Sequence, residues 1–278
     1  MDNNLFNLDL YLARLNYSGG IQPTEDRLEA LHRAQAYTIP FENFDILLGR
    51  GIALEPAALY DKLVRRARGG YCFELNGLFL MALQSIGFDA RALLARVHLV
   101  DPPTGRGHQL ILVTLQGRKW VADVGFGGSG IRAPIPFELN HVTTHDGQTF
   151  RLVEAEPFGI MLQTLTDTQW QDLYSFDLGH VFLADITYGN HFTSTHPSSF
   201  FTFARVAALP TPNGRVALFN STLRTVTPDG EHVQELAEGQ AYLDALKTHF
   251  GIELDASYEA LRPLPLTNQE KGTSSEAA

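Results

Sequence analysis

The chain carries its only cysteine within the stretch Arg68-Gly69-Gly70-Tyr71-Cys72-Phe73-Glu74-Leu75-Asn76. Beyond it, apolar residues recur at the spacing of one helical face, namely Leu75, Leu78, Phe79, Ala82, Leu83 and Ile86. This spacing predicts an α-helix that begins at or near Cys72 and ends at Gly87. Gly69 and Gly70 allow backbone angles that other residues resist, so we expect a sharp turn into the helix.

A position at a helix start matters for the chemistry of Cys72. An isolated cysteine is most often a small buried apolar residue. At the first turn of a helix, however, unpaired backbone N–H groups and the positive end of the helix dipole favour the thiolate. A nucleophilic cysteine also needs a base and a group that orients the base.

The composition argues against several classes of protein. The 278 residues are 44% hydrophobic and 19% charged, which allows a substantial core. A single cysteine excludes an intramolecular disulfide and suits the cytoplasm. The formal net charge of -10, without a block of lysine and arginine, argues against binding of nucleic acid or anionic membranes. The acidic N-terminus and the lack of a long apolar run predict neither a signal peptide nor a membrane helix.

Three regions differ in their residue pattern. Residues 1–87 have helical periodicity, with helix starts at Thr24 and Pro56 and an extended segment at 39–45. Residues 88–188 change to β-type alternation, with strands predicted at 91–100, 108–115, 119–125, 148–153, 160–165 and 169–176. So many short strands favour a small barrel or a tightly curled sheet.

The third region, residues 189–265, mixes strands with a closing helix. Strands are predicted at 199–207, 215–219, 223–226 and 232–236, followed by a helix over 238–250. The polar tail, residues 266–278, is expected to be disordered.

His108 differs from the other histidines because of what it faces. If Gln116-Gly117 forms a two-residue turn, His108 falls opposite Gly125 on the neighbouring strand. Asp123 then lies one diagonal step away, roughly 7–8 Å at the backbone, within reach of the imidazole. An acid in an apolar strand also needs a partner for its charge, so we expect the two side chains to pair.

Cys72, His108 and Asp123 together predict a catalytic relay. His108 takes the thiol proton, and Asp123 fixes the imidazole tautomer and stabilises its charged form. A purely structural His–Asp pair is the alternative. The order along the chain is similar to that of papain-like enzymes, and it predicts acyl transfer without choosing among protease, transglutaminase and acyltransferase. Three other histidines are interpreted as surface or core-edge residues without a partner nearby: His32, His232 and His249.

Four stretches resemble the arylamine N-acetyltransferase family. They are residues 68–76, Ile39-Pro40-Phe41-Glu42-Asn43-Phe44-Asp45, Ala122-Asp123-Val124-Gly125-Phe126-Gly127 and Ser194-Thr195-His196-Pro197-Ser198-Ser199. The stretches follow the family's order, and the similarity extends from about residue 10 to about residue 250. The resemblance implies an α+β fold with an N-terminal helical bundle (1–87), a central β-barrel (88–188) and a C-terminal α/β lid (189–265) around a cysteine-protease-like catalytic core.

The resemblance also implies a reaction and its site. In a ping-pong mechanism, acetyl-CoA acylates Cys72, and an arylamine, arylhydrazine or N-hydroxyarylamine then takes the acetyl group. The family's triad carries over onto Cys72, His108 and Asp123, the residues reached above. An aromatic substrate pocket is implied at Phe41, Phe126 and Phe201, and a backbone site for the CoA pyrophosphate at Gly127, Gly128 and Ser129.

Both of these binding sites have ordinary structural alternatives. The three phenylalanines equally suit a core, and the glycine run lacks a phosphate-binding lysine. A different acyl donor, as in amide synthases of the same family, and a cysteine hydrolase or transglutaminase-like activity also stay open. The partners expected are acetyl-CoA and small arylamine or hydrazine acceptors, with no metal, nucleic acid or membrane, and an oligomer is allowed.

Overall fold

The structure is a computed structural model that describes residues 6–264. The tail predicted to be disordered, residues 266–278, lies outside the described residues. The fold is α+β, as predicted: helices come first, a barrel-like sheet follows, and a second sheet with a closing helix ends the chain.

The first region is mainly helical, and its longest helix begins with the cysteine. The helices are α1 (Leu8–Arg14), α2 (Glu25–Ala36), α3 (Phe44–Leu47), α4 (Pro56–Tyr60) and α5 (Cys72–Ile86). A π-helical turn, Asp61–Arg65, continues α4. Helix α5 buries its predicted apolar face and ends at Gly87, whose φ of +102° is the left-handed cap expected of glycine. Within the predicted extended segment lies a short strand, β1 (Phe41–Glu42).

Eight antiparallel strands form the nearly closed sheet that the strand pattern predicts. They are β2 (Asp89–Val97), β3 (His108–Leu115), β4 (Arg118–Ala122), β5 (Ile135–Pro136), β6 (Val142–His145), β7 (Gln148–Ala155), β8 (Gly159–Thr166) and β9 (Gln169–Phe176). Their spatial order is β5-β4-β3-β2-β9-β8-β7-β6. A bridge between Leu139 and Leu152 brings the chain after β5 to β7, so the two ends of the sheet approach each other.

Strands β2 and β3 have apolar side chains on both faces because two cores meet there. Leu93 and Ala95 point into the barrel core, whereas Ala90 and Leu94 pack with the helices. The predicted strand 91–100 is therefore wrong at both ends. The real strand starts at Asp89 and stops at Val97, beyond which the chain emerges into solvent.

The last region is built on a five-stranded antiparallel sheet. After helix α6 (Leu183–Thr195) come β10 (Val206–Thr211), β11 (Gly214–Phe219), β12 (Thr222–Thr227), β13 (Gly230–Glu235) and α7 (Gln240–Phe250). The strand order is β1-β10-β11-β12-β13. The predicted strand 199–207 is wrong, because Phe200–Thr202 is a 3₁₀ turn and β10 begins only at Val206.

The first and last regions share structure. Strand β1 pairs with β10, with Phe41 opposite Ala208. Phe44 and Leu47 of α3 pack in the core that α7 covers. The domain boundary at residue 87 stays a prediction, and the segment 41–47 contributes to the sheet region at the other end of the chain.

Candidate active site

Cys72 lies at the first position of α5, as the sequence predicts, and is buried. The glycines before it are required by space rather than by unusual backbone angles, since neither has a positive φ. A Cβ on Gly69 would lie 2.3 Å from the Pro40 carbonyl oxygen, and one on Gly70 would lie 2.8 Å from Glu74 Oε2. The chain before Cys72 thus passes tightly between these groups.

The predicted contact between His108 and Asp123 is confirmed. Nε2 of His108 lies 2.7 Å from Oδ2 of Asp123, and both residues are buried. The predicted register is also correct, since Leu115 pairs with Arg118. The predicted strand 119–125 is wrong at its end, because β4 stops at Ala122 and Asp123 begins the turn that follows.

Asp123 lies outside β4 because its side chain is hydrogen-bonded to groups beyond the strand. Its Oδ1 accepts hydrogen bonds from the backbone N–H of Gly125 at 2.9 Å and from Nδ2 of Asn76 at 2.9 Å. A Cβ on Gly125 would lie 2.9 Å from the Cα of Cys72, so this turn packs directly on the nucleophile. Glycine at position 125 is what permits that approach.

The charges of the pair support each other. Burial alone would lower the pKa of His108, but the Asp123 carboxylate and the neighbouring Cys72 side chain raise that pKa to about 10. Burial would raise the pKa of Asp123, yet His108 and the hydrogen bonds from Asn76 and Gly125 hold it below its usual value. Because Nε2 is bonded to Asp123, Nδ1 is the ring nitrogen left for the thiol.

Asn76 connects all three parts of the site, a role that the sequence analysis missed. It lies one turn after Cys72 on α5 and is fully buried. Besides its bond to Asp123, its Nδ2 donates to the Gln109 carbonyl at 2.6 Å, and its Oδ1 accepts from the Val124 N–H at 3.0 Å. A polar residue four positions after the nucleophile, on the helix face turned toward the strands, was the available signal.

The interpretation of His32 as a surface or core-edge residue without a partner is wrong. It is fully buried, and its Nε2 accepts the backbone N–H of Asp123 at 3.1 Å. Its Nδ1 lies 3.2 Å from the carbonyl oxygen of Arg132, to which it donates. Burial lowers the pKa of His32 to about 4, so this ring is neutral and holds the Asp123 backbone in place. The pairing joins elements far apart in sequence, and local pattern does not reveal it.

Five buried charged residues support the helix start from behind: Glu42, Asp45, Lys62, Arg68 and Glu74. Nζ of Lys62 lies 2.8 Å from both Asp45 Oδ2 and Glu74 Oε1. Arg68 Nη2 lies 2.7 Å from Glu42 Oε1. The second oxygen of Glu74 accepts the Tyr71 N–H at 3.0 Å, which caps α5 immediately before Cys72. The motif's Arg and Glu therefore hold the nucleophile segment in position.

The three predicted substrate-binding phenylalanines lie around the site in different ways. The ring of Phe126 is 5.1 Å from that of His108. The rings of Phe41 and Phe201 lie 5.9 Å apart, and Phe201 also contacts the Tyr71 ring at 5.8 Å. Phe41 is buried in the helical core, whereas Phe126 and Phe201 are half-buried.

A cavity of ≈ 680 Å³ opens beside the nucleophile. Its lining includes Gly107, whose carbonyl oxygen lies 3.7 Å from the Cys72 sulfur. The aromatic side chains in the lining come from α6 and the segment after it, and they are Tyr188, Phe192, Phe200 and Phe201. Of the three predicted phenylalanines, Phe201 lines this cavity.

The glycine run after Asp123 forms a partly exposed turn. Phe126 has φ −85° and ψ 1°, and Gly127 has φ +77°, so right-handed and left-handed residues follow each other. This alternation points successive backbone N–H groups into one concavity, the geometry of an anion-binding nest. Gly127–Ser129 then makes a 3₁₀ turn that lies against β10 and β11.

Two other features bear on the kind of protein. Among residues 6–264, no group of three or more His, Cys, Asp or Glu side chains is arranged to hold a metal ion. No helix in that range is long and apolar enough to span a membrane.

Comparison with known proteins agrees with this geometry. The sequence model of an N-acetyltransferase family matches residues 24–258. The arylamine N-acetyltransferase of Escherichia coli is 37% identical over 252 residues, which cover 89% of each chain. The structure of arylamine N-acetyltransferase from M. tuberculosis superposes with a TM-score of 0.85 at 37% identity, covering 88% of this chain and 94% of that one.

A second solved structure includes a ligand. The Mycobacterium marinum arylamine N-acetyltransferase in complex with CoA has a TM-score of 0.83 at 35% identity, covering 88% of this chain and 93% of that chain. Similarity of this extent, in sequence and in fold, shows that the chain belongs to the arylamine N-acetyltransferase family.

Proposed function

We propose that this protein is an acetyl-CoA-dependent arylamine N-acetyltransferase that works through a Cys72 thioester. The observation that carries the proposal is the buried His108–Asp123 pair next to Cys72, which lies at the start of α5. Family membership selects acetyl transfer among the reactions that a cysteine nucleophile performs. The CoA complex of the M. marinum relative supports CoA as the carrier of the acetyl group.

The first half-reaction loads the enzyme. His108 Nδ1 takes the thiol proton, and the Cys72 sulfur attacks the thioester carbonyl of acetyl-CoA. The tetrahedral oxyanion then collapses, the bond to the CoA sulfur breaks, and His108 returns a proton to that sulfur. The backbone N–H of Cys72, at the first position of α5, is a candidate donor to the oxyanion. One thioester is exchanged for another, so the acetyl group is stored without a large change in free energy.

The second half-reaction transfers the group to the acceptor. The nitrogen of an arylamine attacks the Cys72 thioester, His108 removes the proton from that nitrogen, and the Cys72 sulfur leaves. The aromatic lining of the cavity beside Cys72 suits arylamines, arylhydrazines and N-hydroxyarylamines as acceptors. The position of Phe126 against His108 and that of Phe201 in the cavity lining support the proposal that both contact an aromatic acceptor.

The backbone nest at Gly127, Gly128 and Ser129 is proposed to receive the pyrophosphate of CoA. We also propose the cytoplasm as the location, because a single nucleophilic thiol is preserved in a reducing compartment.

The proposal is tested by loading the enzyme with acetyl-CoA alone. Intact-mass spectrometry is expected to show one added acetyl group, and peptide mapping should place it on Cys72. Cys72→Ser is expected to gain no acetyl group while its melting temperature stays within about 2 °C of wild type, because serine replaces sulfur with little change in volume. Wild-type protein that remained unmodified in acetyl-CoA would refute the proposed function.

A further inference from the structure

Two arginines, Arg132 and Arg215, flank the glycine turn, and within residues 6–264 neither forms an ion pair with a carboxylate. Arg132 is only 3% exposed, yet in the described part of the chain its Nη1 has no hydrogen-bond partner. Its Nη2 donates to the carbonyl oxygen of Gly128 at 3.1 Å. A buried guanidinium with an unsatisfied donor is costly unless an acceptor arrives.

Arg215 approaches the same turn from β11. A Cβ on Gly128 would lie 3.2 Å from its Cδ. Its guanidinium is half-buried and, among residues 6–264, has no ion pair or hydrogen bond. Gly128 therefore lies close to two cationic side chains.

The carboxylate and hydroxyl groups that act on Arg132 do not neutralise its charge. Asp146, a carboxylate that acts on the charge of Arg132, is hydrogen-bonded to Arg33 and Tyr37. Burial and the charge of Arg215 together lower the pKa of Arg132 to about 10, against the pull of Asp146 and Tyr37. An anion that bound at the turn would stabilise the two positively charged guanidinium groups there.

We propose that Arg132 and Arg215, together with the Gly127–Ser129 turn, bind the pyrophosphate of the CoA substrate, an inference that rests on the function proposed above. Arginine suits this role because its planar guanidinium donates two hydrogen bonds to phosphate oxygens. The turn is also near enough to the sulfur. Gly125 touches the Cys72 backbone, and Gly128 is three residues further, at most about 11 Å along the chain. Of the phosphates in CoA, the pyrophosphate is the one closer to the thiol.

The test compares acetyl donors with and without phosphate. Donors are acetyl-CoA, acetyl-3′-dephospho-CoA, S-acetylpantetheine and p-nitrophenyl acetate, and the readout is the rate of Cys72 acylation against donor concentration. Arg215→Gln comes first because, within residues 6–264, the half-exposed Arg215 side chain makes no hydrogen bond to the turn. Arg132→Lys is the second variant. The matched control is Arg224→Gln on the neighbouring strand, where the same charge is lost from an ion pair with Glu231.

In Arg215→Gln we expect the KM for acetyl-CoA and for acetyl-3′-dephospho-CoA to rise about tenfold, the size of one charge-assisted hydrogen bond. Acylation by S-acetylpantetheine and by p-nitrophenyl acetate should be unchanged, as should every rate in Arg224→Gln. Arg132→Lys should show the same dependence on phosphate.

Two results would overturn the inference. One is a KM for acetyl-CoA within twofold of wild type in both arginine variants. The other is a KM that rises for acetyl-CoA but not for acetyl-3′-dephospho-CoA, which would show that the arginines bind the 3′-phosphate. Either leaves the proposed function intact, because wild-type protein would still be acetylated. Failure of wild type to accept acetyl from any of the donors would instead refute the function itself.

Discussion

Replacing Asn76 by alanine tests whether one amide side chain sets the geometry of the triad. The change removes three hydrogen bonds and leaves the Gln109 carbonyl and the Val124 N–H buried without a partner. Each unsatisfied buried group costs about 1–3 kcal/mol, so we expect a loss of about 3 kcal/mol in the free energy of unfolding. For a chain of this size that corresponds to a fall in melting temperature of roughly 6–12 °C.

The effect on chemistry should exceed the effect on stability. Without Asn76, Asp123 and the strand that begins at His108 lose their common link to the nucleophile helix. A displacement of about 1 Å at a reacting centre costs roughly a hundredfold in rate, so we expect a loss of that size in Cys72 acylation. The assay is the pre-steady-state burst with p-nitrophenyl acetate, which reports acylation without CoA binding.

Asn43 provides the matched control. It is equally buried, its Nδ2 donates to the carbonyls of Phe201 and Ala204, and its Oδ1 accepts the Val206 N–H. Asn43→Ala therefore loses the same number of buried hydrogen bonds, three, at a place that does not touch the triad. Its melting temperature should fall by a similar amount, whereas its acylation rate should stay within about threefold of wild type. Equal acylation losses in the two variants would refute the role given to Asn76.

Three further predictions concern the buried charges. Asp123→Asn should slow Cys72 acylation about a thousandfold or more in burst kinetics. It should also lower the unfolding free energy by about 3 kcal/mol in urea denaturation. Near-normal values of both quantities would contradict the pairing of Asp123 with His108. Because the folded-state pKa of His108 is raised, to about 10, its stabilising contribution is complete below the unfolded pKa of about 6.5 and is lost as pH rises toward 10. The stability difference between wild type and Asp123→Asn should accordingly narrow between pH 6.5 and 10 in thermal melts, and a constant difference would show that His108 is not charged in the pair. Lys62→Met should cost about 3–5 kcal/mol in urea denaturation, because Asp45 and Glu74 lose their shared cation, and a loss under 1 kcal/mol would show that water replaces it.

The parts of the fold that the sequence predicts well are those with local causes. The helix after Cys72 follows from one apolar face and a glycine cap. The hairpin that aligns His108 with the turn at Asp123 follows from Gln116-Gly117, where the left-handed φ of both residues, +51° and +78°, favours a two-residue turn. Turn geometry sets the register, and the register brings the base and the acid together.

The parts that were wrong depend on distant neighbours. Helix α6 is not predicted, because Leu183, Tyr188 and Phe192 are exposed and a single large apolar residue of the helix, Ile186, packs against the helical core. It packs instead through Gly189, where a Cβ would lie 2.8 Å from the Phe73 ring. The limits of β2 were wrong because an element buried on both faces has no alternation to follow.

The binding site for the acceptor was only partly predictable. The family resemblance indicates Phe41, Phe126 and Phe201, but two of the aromatic side chains that line the cavity, Tyr188 and Phe192, belong to α6, which the sequence does not predict. The roles of His32 and Asn76 could not be predicted from local pattern. Each residue fits the pattern of its own helix, and each acts through a hydrogen-bond partner on another element.

Strand β1, only two residues long, has a consequence for dividing the protein. On one side Phe41 and Glu42 pair with β10, and on the other they meet Gly70, whose carbonyl accepts the Glu42 N–H at 2.9 Å two residues before the nucleophile. A fragment that ended before residue 206 would therefore keep every triad residue and still lose the strand that supports the approach to Cys72. The smallest unit that retains acetyl transfer should include the C-terminal sheet, even though no triad residue belongs to it.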